Sequence, residues 1–256
     1  MTAVADMVMW KLGRSRDHSL QIRNLINEFR TSPFCKFALS QDPEGRLVLS
    51  YSEVDEVTPF LSVLIGEFAH NLRSSLDHLI FALATPTRDQ EHRVQFPLCK
   101  SRGKFNKCLS EKMPGVSPDV QSIVESVQPY HRDICAGAGF LEKLQVLNNW
   151  DKHRAFTTCA ALISETDIQL SVTGATTVLN KETFTGPAEK GRMVARITVG
   201  QSEKGARIAP HPSFHMQLVF ADNMPAEIRG ERPLDVLSPA AQFIDDDLLP
   251  RLLPYL

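Results

Sequence analysis

The chain has almost no net charge: 28 Lys and Arg stand against 30 Asp and Glu, with a pI near 6.4. No global field draws it to nucleic acid or to an anionic membrane, so any polyanion binding must be local. The five cysteines, Cys35, Cys99, Cys108, Cys135 and Cys159, are odd in number, widely spaced and without a C-x-x-C pair. That excludes a disulfide framework and a cysteine zinc motif, and it fits thiols kept reduced in the cytoplasm. No apolar run is long enough for a membrane span, because the most apolar region is broken by "EFAHNLRSSLD". The N-terminal "MTAVADMVMWKLGRSRD" lacks the charged leader and apolar run of a targeting segment. There is no Gly-rich phosphate loop, nucleophile elbow, dinucleotide fingerprint or H-E-x-x-H motif, so neither a cofactor nor a dedicated metal motif is expected.

What is present is a chain of 256 residues, 43% apolar, long enough to bury a substantial core. Leu20, Ile22, Leu25, Ile26 and Phe29 predict a first helix from about residue 16 to 30, ended by Pro33. "CKFALSQDPEGRLVLSYSEV" alternates on both sides of "DPEG" and predicts a hairpin over residues 35–52. A long helix over 58–84 follows, then a connecting loop, and further helices over 102–112, 118–128 and 138–156. Beyond residue 156 the period becomes two, in "DIQLSV", "MVARITV" and "HMQLVF". The polar stretches "NKETFTGPAEKG" and "GQSEKGARIAPHPS" are read as mobile connectors, and Ser238 with Pro239 as the start of a closing helix. The expected fold is α+β: residues 1–156 a helical bundle with the hairpin inserted, residues 157–256 an antiparallel sheet plus closing helix, together one compact unit.

The stretch "EFAHNLRSSLDHLIFAL", residues 67–83, has the most informative pattern. At 100° per residue, Leu61, Ile65, Phe68, Leu72, Leu76, Leu79 and Leu83 fall within about 40° of one direction and form a core stripe. The remaining circumference carries Glu67, His70, Asn71, Arg73, Ser74, Asp77 and His78, with one Glu and no Lys, a face suited to hydrogen bonding rather than solvation. Phe81 near the middle of that face implies that its end is covered by protein. The expected partner is "GFLEKLQVLNNWDKHRAF", residues 139–156, where Asn148 and Asp151 fall inside the apolar stripe of Phe140, Leu141, Leu144 and Leu147, with Arg154 on its shoulder. A buried Asp needs a donor, so Asp151 is expected to meet Arg73, His70 or His78. His153 projects to the other side and is read as a surface residue.

Two chemistries fit this cluster. Arg73, Asp77, His70, Asn148, Asp151 and Arg154 can form a satisfied polar network that fixes how two helices cross. The same histidines and carboxylates can perturb one another's pKa values, as acid–base catalysis requires. A third arrangement would converge His70, Asp77 or His78, and Asp151 on a divalent metal. His211 and His215 lie in loop or strand surroundings and are discarded as a ligand pair. The one local basic patch is "KSRGKFNK", residues 100–107, in which Phe105 either stacks on a base or, with Leu109, forms the apolar side of a short amphipathic helix.

"RSSLDH", Arg73 to His78, resembles the R-x4-to-6-H signature of the higher eukaryote and prokaryote nucleotide-binding (HEPN) superfamily, helical proteins that include metal-independent ribonucleases. The resemblance implies a cleft between two subunits in which Arg73 stabilises the phosphate and His78 moves the proton as the ribose 2′-hydroxyl attacks its own phosphate. Arg73 and His78 lie about 140° apart on the helix, so a homodimer suits this chemistry better than one chain. The resemblance thus implies RNA as the partner and residues 67–78 as the site. The pairing of "HNLRSSLDHL" with "NNWDKHR" also resembles a group of bacterial proteins of no assigned function.

Overall fold

The computed structural model describes residues 3–153, 157–174, 176–202 and 207–256, and its fold is α+β. Helix α1 spans Ala3–Thr31, thirteen residues longer at its start than the expected helix over 16–30. The cause is a core stripe that begins earlier: Ala5, Val8, Leu12, Ser15, His18 and Ile22 recur at spacings of three and four and are all buried. Strands β1 (Cys35–Gln41) and β2 (Leu47–Val54) form the expected hairpin. Its turn is closed by Asp42, whose Oδ1 accepts from the backbone N–H of Glu44 and Arg46.

Helix α2 (Pro59–Leu83), helix α3 (Arg102–Lys112) and helix α4 (Pro118–Ser126) appear close to the expected positions. Ser101 and Ser117 cap α3 and α4 by accepting from Lys104 N and Val120 N, and Pro118 occupies the first turn of α4, where its missing N–H costs nothing. Helix α5 spans Ala136–His153. The closing helix α6 (Pro233–Phe243) starts at Pro233 rather than at Ser238, and Pro239 lies inside it; α6 runs through a wide turn over Ile244–Leu248 into the short α7 (Leu249–Leu252). Both Pro233 and Pro239 stand before an apolar run, and burial of Val236, Leu237 and Ala240 selects the earlier start.

The strands form two sheets rather than one. The first has the order β1-β2-β6-β4, with β4 Thr176–Thr183 and β6 Met193–Ser202; the second has the order β5-β3-β7, with β3 Cys159–Thr173, β5 Gly186–Pro187 and β7 Arg207–Phe220. Much of the polar sequence read as connector is strand. Pro210 and Pro212 lie in β7 at the edge of its sheet, where a missing N–H breaks no inner ladder. His211 and His215 therefore stand in a strand, hydrogen-bonded to Ser171 and Ser164 at 3.0 and 2.9 Å.

Two compact units result, and they do not divide the chain at residue 156. One comprises residues up to Asn24, Pro59–Thr158 and Phe220–Leu256; the other comprises Leu25–Thr58 and Cys159–Val219. The hairpin, expected as an insertion in the helical half, pairs through β2 with β6 and belongs with the strands. Its unit has a core of Leu49, Ala161, Ile163, Val194, Ala195, Ile197, Met216 and Leu218, with Phe37 in ring contact with Tyr51 and Phe214 at 5.3 and 5.4 Å. In the helical unit the α2 stripe from Leu61 to Leu79 is buried as expected, and α5 packs against both α2 and α6. Burial of each such Leu, Ile or Phe contributes about 1.5–3 kcal/mol.

Gly115 ties the loop after α3 to the end of α2. It has φ +70°, and a Cβ there would collide with Thr85 Oγ1, while Thr85 N donates to Pro114 O at 2.9 Å. Gly115→Ala is expected to lower stability by about 1–3 kcal/mol, read from urea denaturation, because both the left-handed backbone and the contact with Thr85 resist a side chain.

Candidate functional site

Helix α2 carries Arg73 into the interior rather than into a cleft. The residue is 4% exposed. Its Nη2 donates to the Phe96 carbonyl at 2.6 Å and pairs with Asp77 Oδ1 at 2.9 Å, and the Phe96 N–H donates to the same Asp77 oxygen at 2.9 Å. One turn of α2 therefore holds both backbone polar groups of Phe96, which are themselves buried and need partners. Burial dominates the pull on the Arg73 pKa and lowers it, opposed by Asp77. Its Nη1 is buried without a hydrogen-bond partner among the described residues.

A second clamp continues the first. Gln128, fully buried after α4, donates from Nε2 to Pro97 O at 2.8 Å and to Val124 O at 2.9 Å, and its Oε1 accepts from Cys99 N at 2.9 Å. The segment from Phe96 to Cys99 is thus fixed from two sides by side chains that replace a secondary-structure ladder. Sequence reasoning missed Gln128, since one glutamine in a polar stretch has no distinguishing pattern.

Asp151 was expected to meet Arg73, His70 or His78. Helices α2 and α5 do pack together, but Arg73 has Asp77 and Phe96 instead, and no hydrogen bond of Asp151 with the three expected donors occurs among the described residues. Asp151 lies half-buried over Gly66, where a Cβ would collide with its carboxylate, so the helices approach closely because that position is glycine. Burial raises the Asp151 pKa, and His70 and Lys152 pull it back. Asn148 is buried and Asn71 half-buried. Arg154 and the side chain of His153 lie outside the described residues. Phe81, expected under a protein cover, is 47% exposed.

The histidines do not converge with Arg73. His70 is exposed and His78 half-buried. Burial lowers the pKa of both; Lys152 and Lys11 lower that of His70 further, Lys11 lowers that of His78, and Asp77 opposes in each case, with Asp151 also opposing at His70. His18 on α1 is 2% exposed and 3.6 Å from Glu67 Oε2, and burial lowers its pKa as well. Among the described residues no group of three or more His, Cys, Asp or Glu side chains is placed to hold a metal, so His70, Asp77, His78 and Asp151 form no ligand set.

A capacious concavity of the helical unit lies elsewhere. A cleft of about 1000 Å³ lies between α3 and α5. One wall carries Lys104, Lys107, Cys108 and Lys112 of α3, continued by Cys99 and Lys100; the other carries Glu142, Gln145, Val146, Asn149 and Trp150 of α5. The α5 residues recur at i, i+3, i+4, i+7 and i+8, so they form one helical stripe. Its spacing is legible in the sequence, but it lies outside the apolar stripe that carries Asn148 and Asp151. Phe105, the residue considered for base stacking, is 1% exposed and forms the apolar side of α3, which frees the lysines to face the cleft.

Charges in the cleft are unevenly matched. Glu142 is held by Arg132 at 3.1 Å and Lys100 at 3.5 Å, and Lys100 also pairs with Glu227 at 3.3 Å. Lys104, Lys107 and Lys112 take part in no ion pair among the described residues. Glu111, the one carboxylate of α3, is exposed and does not line the cleft. Cys99 Sγ lies 3.7 Å from Cys108 Sγ, and burial pushes the Cys99 thiol up to about 11, so it stays protonated at neutral pH and is no nucleophile.

Comparison with family models, curated proteins and solved structures finds no match to this chain. No helix among the described residues is long and apolar enough to cross a membrane.

Two stability measurements test the site geometry. Arg73→Ala strands the Phe96 carbonyl and leaves Asp77 without its cation, and it should cost about 2–4 kcal/mol in urea denaturation. Adding Asp77→Asn should recover part of that loss, whereas Asp151→Asn should produce the same change in the Arg73→Ala background as in the wild type, because it is no partner of Arg73. The second measurement is pH. Unfolded histidine titrates near 6.5, and burial holds His18, His70 and His78 below that, so each favours the fold when neutral. Their contribution is complete above about pH 6.5 and is lost as pH falls below it. The Tm should therefore drop between pH 7 and 5.5, and His18→Gln should shrink the drop; a Tm independent of pH in that window contradicts the assignment.

Proposed function

We propose that this protein is a binding scaffold that holds an anionic ligand in the α3–α5 cleft, and that the polar cluster of α2 supports the cleft wall instead of catalysing a reaction. The observation that carries this reading is the set of three lysines, Lys104, Lys107 and Lys112, facing one concavity with no ion pair among the described residues. Cationic walls of low dielectric concentrate the field inside a cleft and raise the local concentration of anions. The Arg73, Asp77 and Gln128 clamps hold the segment from Phe96 to Cys99, from which Lys100 and the start of α3 follow directly.

The HEPN-like ribonuclease reading asks Arg73 to reach a phosphate. Its guanidinium is enclosed and committed to Phe96 and Asp77, so a second copy of the chain brought alongside α2 would meet His78 but not Arg73. A binding role for RNA survives without that chemistry. The free thiols, with burial holding Cys35 and Cys159 protonated, accord with a reducing compartment such as the cytoplasm.

Inorganic tripolyphosphate is a suitable first probe, titrated by calorimetry. It should bind the wild type more tightly at low salt, and Lys104→Gln with Lys107→Gln should weaken binding about tenfold or more without changing the Tm by more than about a degree. Unaltered affinity in that double variant would place the anion elsewhere. Single-stranded RNA incubated with the protein and a chelator should remain intact; cleavage that disappears in His78→Ala would reinstate the ribonuclease reading.

A further inference from the structure

Two thiols meet on the cleft wall. Cys99 Sγ donates toward Cys108 Sγ across 3.7 Å, and this is the one thiol–thiol contact among the described residues. The two differ in access: Cys99 is 6% exposed, whereas Cys108 is half-buried and lines the cleft. Cys108 stands four residues after Lys104 and four before Lys112, so Lys104, Cys108 and Lys112 follow one another along the same wall. An accessible thiol beside cations is the kind that oxidants reach first. The backbone holds both partners in place. Cys99 N donates to the buried Gln128 Oε1 at 2.9 Å, and α3 is anchored by Phe105, 1% exposed, three residues before Cys108. The contact is therefore a product of the fold.

We propose that Cys99 and Cys108 are a reversible oxidation site, in which a hydroperoxide oxidises Cys108 and the pair then closes to a disulfide. In the first step the Cys108 sulfur attacks the peroxide: an S–O bond forms, the O–O bond breaks, and the thiol proton leaves with the departing alcohol or water. The sulfur has lost two electrons, the peroxide has gained them, and Cys108 is a sulfenic acid. In the second step the Cys99 sulfur attacks Cys108 Sγ: the S–S bond forms, the S–O bond breaks, and the Cys99 proton leaves with the hydroxyl as water. Burial pushes the Cys99 thiol up to about 11, which keeps it inert toward oxidants in solution. At closure the departing oxygen beside it supplies an acceptor for its proton. The sulfurs must approach from 3.7 Å to about 2.05 Å, a movement that side-chain rotation and a small shift of α3 can share. A dithiol reductant reverses the bond by exchange. The other cysteines are unsuited: Cys35, Cys135 and Cys159 have no thiol partner among the described residues, and burial pushes Cys35 and Cys159 up to about 11 and about 12. This chemistry is independent of the ligand that the cleft holds.

The test treats the full chain with a small molar excess of hydrogen peroxide, then denatures and alkylates it for peptide mass spectrometry. In the wild type Cys99 and Cys108 should be recovered joined, lighter by two hydrogen atoms and protected from alkylation, while Cys35, Cys135 and Cys159 alkylate. Dithiothreitol added before alkylation should restore both thiols. The order of events is read with dimedone, which traps sulfenic acid. Cys99→Ser removes the sulfur that closes the bond, so Cys108 should accumulate more dimedone adduct than in the wild type; in Cys108→Ser, Cys99 should stay reduced at the same dose. The wild-type mapping needs no variant, so it stands even where a substitution damages the fold. A bond that joins two chains or other cysteines, or Cys108 oxidised without a bond to Cys99, overturns the inference. So does a Cys99 adduct in Cys108→Ser as abundant as the Cys108 adduct in Cys99→Ser.

Discussion

A guanidinium buried in the helical unit must find acceptors or cost several kcal/mol, and Arg73 meets that demand with one backbone carbonyl and one carboxylate a turn away. The consequence is structural. Asp77 accepts the Phe96 N–H as well, so a chain segment without regular secondary structure is fixed at both of its polar groups by a single helix. Gln128 repeats the device on Pro97 O and Cys99 N. From there the chain passes through Lys100 into α3, and the position of the lysine wall is inherited from these few hydrogen bonds.

The same commitment limits what α2 can do chemically. A residue that stabilises a phosphoryl transition state needs donors aimed at the place where charge develops, and those donors must be free before substrate arrives. The Arg73 Nη2 is not free. Its remaining terminal nitrogen, Nη1, is buried and has no acceptor among the described residues, which is an energetic penalty. The histidines of α2 lie on its outer side, near Lys11 of α1, and burial together with that lysine disfavours their protonated forms. The cleft differs on each count: its lysines are exposed or half-buried, its volume is open, and its rim carboxylates are already paired.

Much of this was open to sequence reasoning, and particular residues show why. The α2 stripe of Leu61, Ile65, Phe68, Leu72, Leu76 and Leu79 is a one-dimensional pattern on one helix, and it is buried as its spacing requires. Ser101, Ser117 and Pro118 announce helix starts through local chemistry alone. The α3 amphipathic pattern likewise placed Phe105 inside. The polar segments of β4 and β7 were misread because strands that expose one face are as polar as loops, and their strand character comes from pairing partners distant in sequence.

Periodicity and caps, then, determined which segments form helices, which face of each is apolar, and that the cluster on α2 would not be an ordinary solvated surface. Only the tertiary structure decided the pairings. Asp77 rather than Asp151 became the partner of Arg73, because an i,i+4 carboxylate is already within reach while the crossing of α5 places Asp151 at Gly66. Hairpin β1–β2 went with β6 rather than with the helices that flank it in sequence, because an edge strand lowers its energy by hydrogen-bonding to another strand wherever that strand lies along the chain. The α3–α5 cleft exists for the same reason: a concavity belongs to the space between elements, and neither helix contains it alone.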